Sequence, residues 1–207
     1  LIDKPMVGNL HDLHELQRLQ AKHKTLIMGG SSVRYAAEVQ ELRGLREEMG
    51  ELGAVWCHGR NDFFNYGIHT VEMFQGLLGA GVRAVEHVGA RGTMDVFRAD
   101  YVDGLPVFFA LGAIASPWFI SVTAKNGVFE RVLTAKDNYC RFIEAFLGAV
   151  RSGEPPISLA DNLEAIRISL AAKVSRREGT ICYLEDLTNE ERFDGFAFAE
   201  EYAKLRQ

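Results

Sequence analysis

Several things are missing from this sequence, and each absence narrows what the chain can be. It has no run of lysine and arginine, and its net charge of −5 gives nucleic acid no electrostatic footprint. Its three cysteines, Cys57, Cys140 and Cys182, lie far apart, with no CxxC and no metal-ligand spacing. An unpaired count of this kind reads as reduced thiols in a reducing, cytoplasmic compartment rather than a disulfide framework. No apolar run approaches the ~18 residues of a membrane span. The longest, Val107 to Ala115, is interrupted by Gly112. GxGxxG is absent, and no Lys-Ser/Thr follows Gly29-Gly30-Ser31-Ser32, so neither phosphate-cradling motif is present. There is no repeat, no low-complexity segment, no signal peptide and no initiator methionine. The chain opens on Leu1-Ile2-Asp3-Lys4-Pro5, which reads as the end of a buried strand whose earlier neighbours belong to a missing N-terminal part.

What is present is an ordinary globular composition, 47% hydrophobic over 207 residues, enough for one sizeable core. Helices are expected from about Asn9 to His23, Tyr35 to Glu48, Asn138 to Arg151 and Leu159 to Glu178. Thr25–Met28 is a short apolar run, Ala54–His58 a strand candidate, and Thr180–Leu184 a final short strand. Between Val82 and Leu133 the period changes to that of strands. Five are expected in succession: Val82–Val88, Thr93–Arg98, Pro106–Leu111, Trp118–Ala124 and Val128–Leu133. Asp103-Gly104 and Asn126-Gly127 serve as turns, the latter as the two central residues of a type I′ hairpin. The expected fold is α+β: an open, mainly antiparallel sheet with helices packed on one face. Residues 1–187 make this domain, with 1–8 the end of a preceding domain and its linker, and 188–207 a polar tail with a weakly helical end.

The chemistry concentrates in Asn65 to Gly79. At 100° per residue Asn65, His69, Glu72 and Gly76 share one stripe, while Ile68, Val71, Phe74 and Leu78 occupy another suited to a core. The plain reading is an amphipathic helix with its polar residues facing water. The sharper one takes His69 as an acid–base group, its tautomer fixed by Asn65 and its basicity raised by Glu72. Lys4, pressed towards an extended backbone by Pro5, could hold an ammonium at the mouth of a pocket. Ser32 and Arg34 could point into the same cleft. His58, Asp62, His69 and Glu72 have the donor chemistry of a zinc or manganese site, but their spacing matches no compact motif.

Taken in order, Asp3-Lys4-Pro5, Ser32-x-Arg34-Tyr35, and Asn65-x-Gly67-x-His69-x-x-Glu72 before Leu78-Gly79 resemble the glucose–fructose oxidoreductase / inositol dehydrogenase / rhizopine-catabolism family. Pro156, Asp161 and Ala172 to Ser175 resemble its closing helix, so the similarity runs over about residues 1–185. The resemblance implies an NAD- or NADP-dependent oxidoreductase acting on a sugar, polyol or related hydroxy compound. The dinucleotide would bind a Rossmann domain absent from this chain. It implies Lys4 and His69 as catalytic residues supported by Asn65, and Lys4 with Pro5 beside the cofactor. Arg34, Tyr66 and Glu72 are the implied substrate contacts, with no metal. The implied partners are a small-molecule substrate and further copies of the chain through the open sheet face, with neither nucleic acid nor membrane. Two departures stand out: Asp3 replaces the family's glutamate, and Asn65 replaces its usual aspartate, which removes a carboxylate able to stabilise protonated His69. The alternative is a non-catalytic binding or assembly module without a nucleotide domain.

Overall fold

The computed structural model describes residues 1–59, 64–112 and 117–204, with the side chains of 201 and 202 also outside the description. The chain opens with strand β1 (Ile2–Asp3) and helix α1 (Leu10–His23), whose first turn is capped by Asn9, its Oδ1 accepting from Asp12 N–H at 2.8 Å. Strand β2 (Gly29–Gly30) pairs in parallel with β1. A 3₁₀ turn (Ser32–Tyr35), α2 (Ala37–Gly44) and α3 (Arg46–Met49) follow, so the continuous helix expected over Tyr35–Glu48 is broken into pieces. Next come β3 (Leu52–His58), α4 (Gly67–Leu78), β4 (Val82–Arg91), β5 (Met94–Tyr101), β6 (Pro106–Gly112), β7 (Phe119–Ala124) and β8 (Gly127–Val132). The chain closes with α5 (Asn138–Ser152), α6 (Leu159–Glu178), β9 (Cys182–Tyr183), a short 3₁₀ turn and α7 (Gly195–Lys204).

The main sheet has seven strands in the order β8-β7-β3-β6-β5-β4-β9. The open, mainly antiparallel sheet is therefore as expected, but its succession is not. β6 and β7 do not pair, because β3 enters between them, antiparallel to β7 and parallel to β6. Local turn signals cannot report such an insertion, since it is decided by which strand offers a face that fits the centre. β3 does so with Val55 and Cys57 buried against the helices and Trp56 turned outwards, 48% exposed. The β7–β8 turn also differs by one residue from expectation. Ala124 pairs with Gly127, so Lys125-Asn126 forms the turn, and Gly127 opens β8 at φ +141°.

Helices cover one face. The core gathers around Phe97 and Phe109, stacked with centroids 5.2 Å apart, and Phe74 of α4 leans on Phe109 at 5.7 Å. α6 begins at Ser158, whose Oγ caps Asp161 N–H at 3.0 Å, and ends at Gly179 in the left-handed conformation, φ +69°.

α4 is the element most at odds with an amphipathic reading. Every residue from Gly67 to Leu77 is buried, because the sheet lies on one side and α2, α6 and the 3₁₀ turn on the others. Its polar stripe faces protein, not water. Gly76 is what allows the close approach: a Cβ there would stand 2.7 Å from Arg34 O and 2.8 Å from Val39 Cγ1. Gly76→Ala is therefore expected to lower unfolding stability by about 1–3 kcal/mol through overpacking, measured by chemical denaturation. An unchanged midpoint would show that the α2–α4 contact yields freely.

Candidate functional site

The site is assembled at the head of α4, where β1 and the Gly29-Gly30-Ser31 segment come together. Lys4 leaves the end of β1 ahead of a cis Lys4–Pro5 peptide. Its ammonium donates to both the main-chain O and the side-chain Oδ1 of Asn65, each at 2.8 Å, and stands 5.0 Å from the centroid of the Tyr66 ring. Asn65 lies in the turn ahead of α4 rather than on the helix, and it seats Lys4. The hydrogen bond to His69 expected of it is made instead by another residue.

That residue is Ser31, in the Gly29-Gly30-Ser31-Ser32 segment, which is not among the expected site residues. His69 is 7% exposed, and its Nδ1 lies 2.6 Å from Ser31 Oγ. Ser31 caps the 3₁₀ turn, its Oγ accepting from Val33 N–H at 3.0 Å. The hydroxyl keeps one lone pair and one proton, so it can accept from Nδ1–H or donate to a bare Nδ1. The capping signature of a serine two residues before an apolar position was legible, but its pairing across 38 residues was not. The imidazole is further held edge-on between the rings of Tyr66, 5.5 Å away, and Trp118, 5.3 Å away. Tyr66 thus lies against both Lys4 and His69.

Arg34 and Glu72 occupy a different place from the expected substrate cleft. Both are buried, 4% and 1% exposed, with Arg34 Nε donating to Glu72 Oε2 at 2.5 Å. Arg34 Nη2 continues to Gln75 Oε1 at 3.0 Å, and Gln75 Nε2 to Glu164 Oε1 at 3.0 Å. Glu164 in turn accepts the N–H groups of Gly81 and Val82 at 2.8 and 3.1 Å. Ser32 is also buried, 6% exposed. Burial raises the Glu72 carboxyl above its ordinary range, while the Arg34 guanidinium and the Ser31 N–H pull it back. Glu72 therefore lies beside the Gly30-Ser31 segment that also meets His69. The approach requires Gly30 at φ +91°, since a Cβ there would fall 2.3 Å from Glu72 Oε1.

Among the described residues no group of three or more His, Cys, Asp and Glu side chains could hold a metal, and Asp62 lies outside them. Burial pushes the Cys57 thiol up, which makes it an inert core group. Among the described residues no helix is long and apolar enough to cross a membrane.

Removing one partner of the buried pair leaves an uncompensated charge. Glu72→Leu alone is expected to cost about 3–5 kcal/mol, and Arg34→Met with Glu72→Leu together far less, in equilibrium denaturation. Equal losses in the single and double variants would show that the two side chains are not energetically coupled.

No family model matches the sequence, and no curated protein does. Solved structures do match. A probable dehydrogenase from Thermotoga maritima superposes with a TM-score of 0.78 at 19% identity, covering 89% of this chain and 73% of that one. Scyllo-inositol dehydrogenase from Lactobacillus casei, with bound NAD(H) and scyllo-inositol, gives 0.75 at 12% identity, covering 89% and 72%. Myo-inositol 2-dehydrogenase from Lactobacillus plantarum gives 0.72 at 13%, covering 87% and 72%. The chain therefore shares the fold of these dehydrogenases over nearly nine-tenths of its length.

Proposed function

We propose that this chain is the substrate-binding and assembly part of an NAD(P)-dependent oxidoreductase acting on a sugar, polyol or related hydroxy compound. The observation that carries the reading is a buried imidazole and an ammonium gathered against one tyrosine ring, each oriented by hydrogen bonds. Oxidising a secondary alcohol requires one group to take the hydroxyl proton and another to polarise the oxygen, and His69 and Lys4 are of those types. For His69 to accept a proton at Nε2, Nδ1 must carry a hydrogen, and Ser31 Oγ has the lone pair to receive it. Lys4 would draw electron density from the substrate oxygen as the C=O bond forms. Tyr66 would present its ring to the apolar face of the substrate. Arg34 and Glu72 would act from beneath, holding the 3₁₀ turn and hence Ser31, rather than by touching substrate.

The nicotinamide, when bound, supplies the hydride acceptor. Lys4 and Pro5 would lie beside its reactive end, and the sequence has no glycine-rich cradle for its pyrophosphate. The solved inositol dehydrogenases of the same fold support a polyol substrate.

The uncovered sheet face supports self-association. Trp56 and Phe108 stack there with centroids 4.4 Å apart, and Val128 and Val132 stand 64% and 54% exposed on the same side. The second reading, a non-catalytic module, is favoured by Asn65, which seats Lys4 with a neutral amide where family members use a carboxylate.

In protein that includes a nucleotide-binding domain, His69→Ala should lower turnover by about 100-fold or more while the NAD(H) dissociation constant stays within about threefold. Parallel losses in both, or no hydride transfer to any of a panel of inositols and sugars before mutation, would favour the module. Trp56→Glu should convert an associating protein to monomer in sedimentation velocity, and an unaltered sedimentation coefficient would remove the sheet face from the assembly.

A further inference from the structure

The segment after β9 has no part in the chemistry above, yet it is tied to the site at several points. Arg177 of α6 holds Glu191 through two hydrogen bonds, 2.7 and 3.0 Å. Lys173 donates to the main-chain O of Arg192. Arg192 forms a bridge with Asn9, and Phe193 N–H donates to Gly8 O at 2.7 Å, beside the Lys4-Pro5 turn. Gly8 is needed there, for a Cβ would approach Phe193 O to 3.0 Å. Asp194 then caps α7, its Oδ1 accepting from Phe196 and Ala197 N–H at 3.1 and 3.0 Å.

The consequence lies in the Phe193 ring. It stacks on Phe64 with centroids 4.2 Å apart and planes 9° from parallel, and Phe64 is 3% exposed. Phe64 is the residue before Asn65, and its carbonyl accepts from Ile68 N–H at 3.3 Å as α4 starts. The Asn65 main-chain and side-chain oxygens both accept from Lys4. A cavity of about 760 Å³ runs along the outside of this turn, walled by Pro5, Val7, Asn65, Phe193, Phe196 and Phe198. On that side the Phe193 ring lies directly against Phe64.

We propose that Phe193 is a positioning residue for Lys4: the strap from Glu191 to Phe198 clamps the Phe64–Asn65 turn, and through it fixes the ammonium. This rests on the reading of Lys4 as the group that polarises substrate oxygen, but the seat itself can be measured without turnover. A stacked pair over a turn adds rigidity that a distant surface helix would not. Losing it releases the turn as a local opening rather than as global unfolding.

The test is proton exchange of the Lys4 ammonium by nitrogen-detected NMR on the chain as it stands, with exposed Lys24 as internal reference. Phe193→Ala should speed Lys4 exchange by about tenfold, leave Lys24 unchanged, and leave the amides of β5 and β6 protected. Phe193→Tyr, which keeps the stack, should restore the parent rate. Glu191→Gln loosens the strap without altering either ring and should give a change in the same direction, which serves if Phe193→Ala does not fold. Lys4 exchange within about twofold of the parent in the folded variants would overturn the proposal. In an intact, active enzyme Phe193→Ala should lower kcat with KM little changed. Absence of hydride transfer in every variant would remove the catalytic reading while leaving the exchange result to judge the strap.

Discussion

The contact on which the site depends is the buried ion pair between Arg34 and Glu72. Two charges taken out of water are tolerated only when their remaining hydrogen-bonding capacity is met nearby. Here the Arg34 guanidinium continues to Gln75 and, one step further, to Glu164, while Gln40 holds the Arg34 main-chain O. Each of these partners lies on a different element, so satisfying the pair fixes the 3₁₀ turn against α4, and α4 against α6. The polar stripe of α4 is thereby an internal fastening.

That fastening determines where the chemistry-bearing groups stand. Gly30 packs against Glu72 and the next residue, Ser31, sets its hydroxyl against His69, so one short segment joins the buried pair to the imidazole. His69 sits one turn before Glu72 on the same helix and cannot shift without disturbing it. Lys4 arrives from a separate strand and is held by Asn65 in the turn ahead of α4. The two groups share Tyr66, whose ring contacts both. A cation and an imidazole are thus gathered against one aromatic ring at the head of α4.

The sheet plays a second role through its asymmetry. Its inner face is closed by α4 and α6, and its outer face carries Trp56, Phe108 and exposed valines, with the Arg98–Glu86 and Arg98–Asp100 ion pairs set alongside them. An antiparallel sheet can leave one face to solvent when that face alternates to polar residues. Here the alternation gives way around β3 and β6, where the strand at the centre of the sheet presents tryptophan outwards.

Much of this was legible in the residues. Leucine periodicity and Asn9 marked α1, Ser158 and Gly179 bounded α6, and the change to short alternating runs after Val82 marked a sheet, because these are local preferences written within a few positions of one another. The order Lys4, Arg34, His69 also carried the family resemblance. Tertiary structure alone decided that β3 would split the strand succession, that the polar stripe of α4 would be buried, and that Asn65 would seat Lys4 while Ser31 held His69. A side chain's partner depends on which distant surfaces meet. Glu72 beside Arg34 and Asn65 beside Lys4 lie 38 and 61 residues apart. Helical spacing says which residues share a face; only the packing of the whole chain says what that face meets.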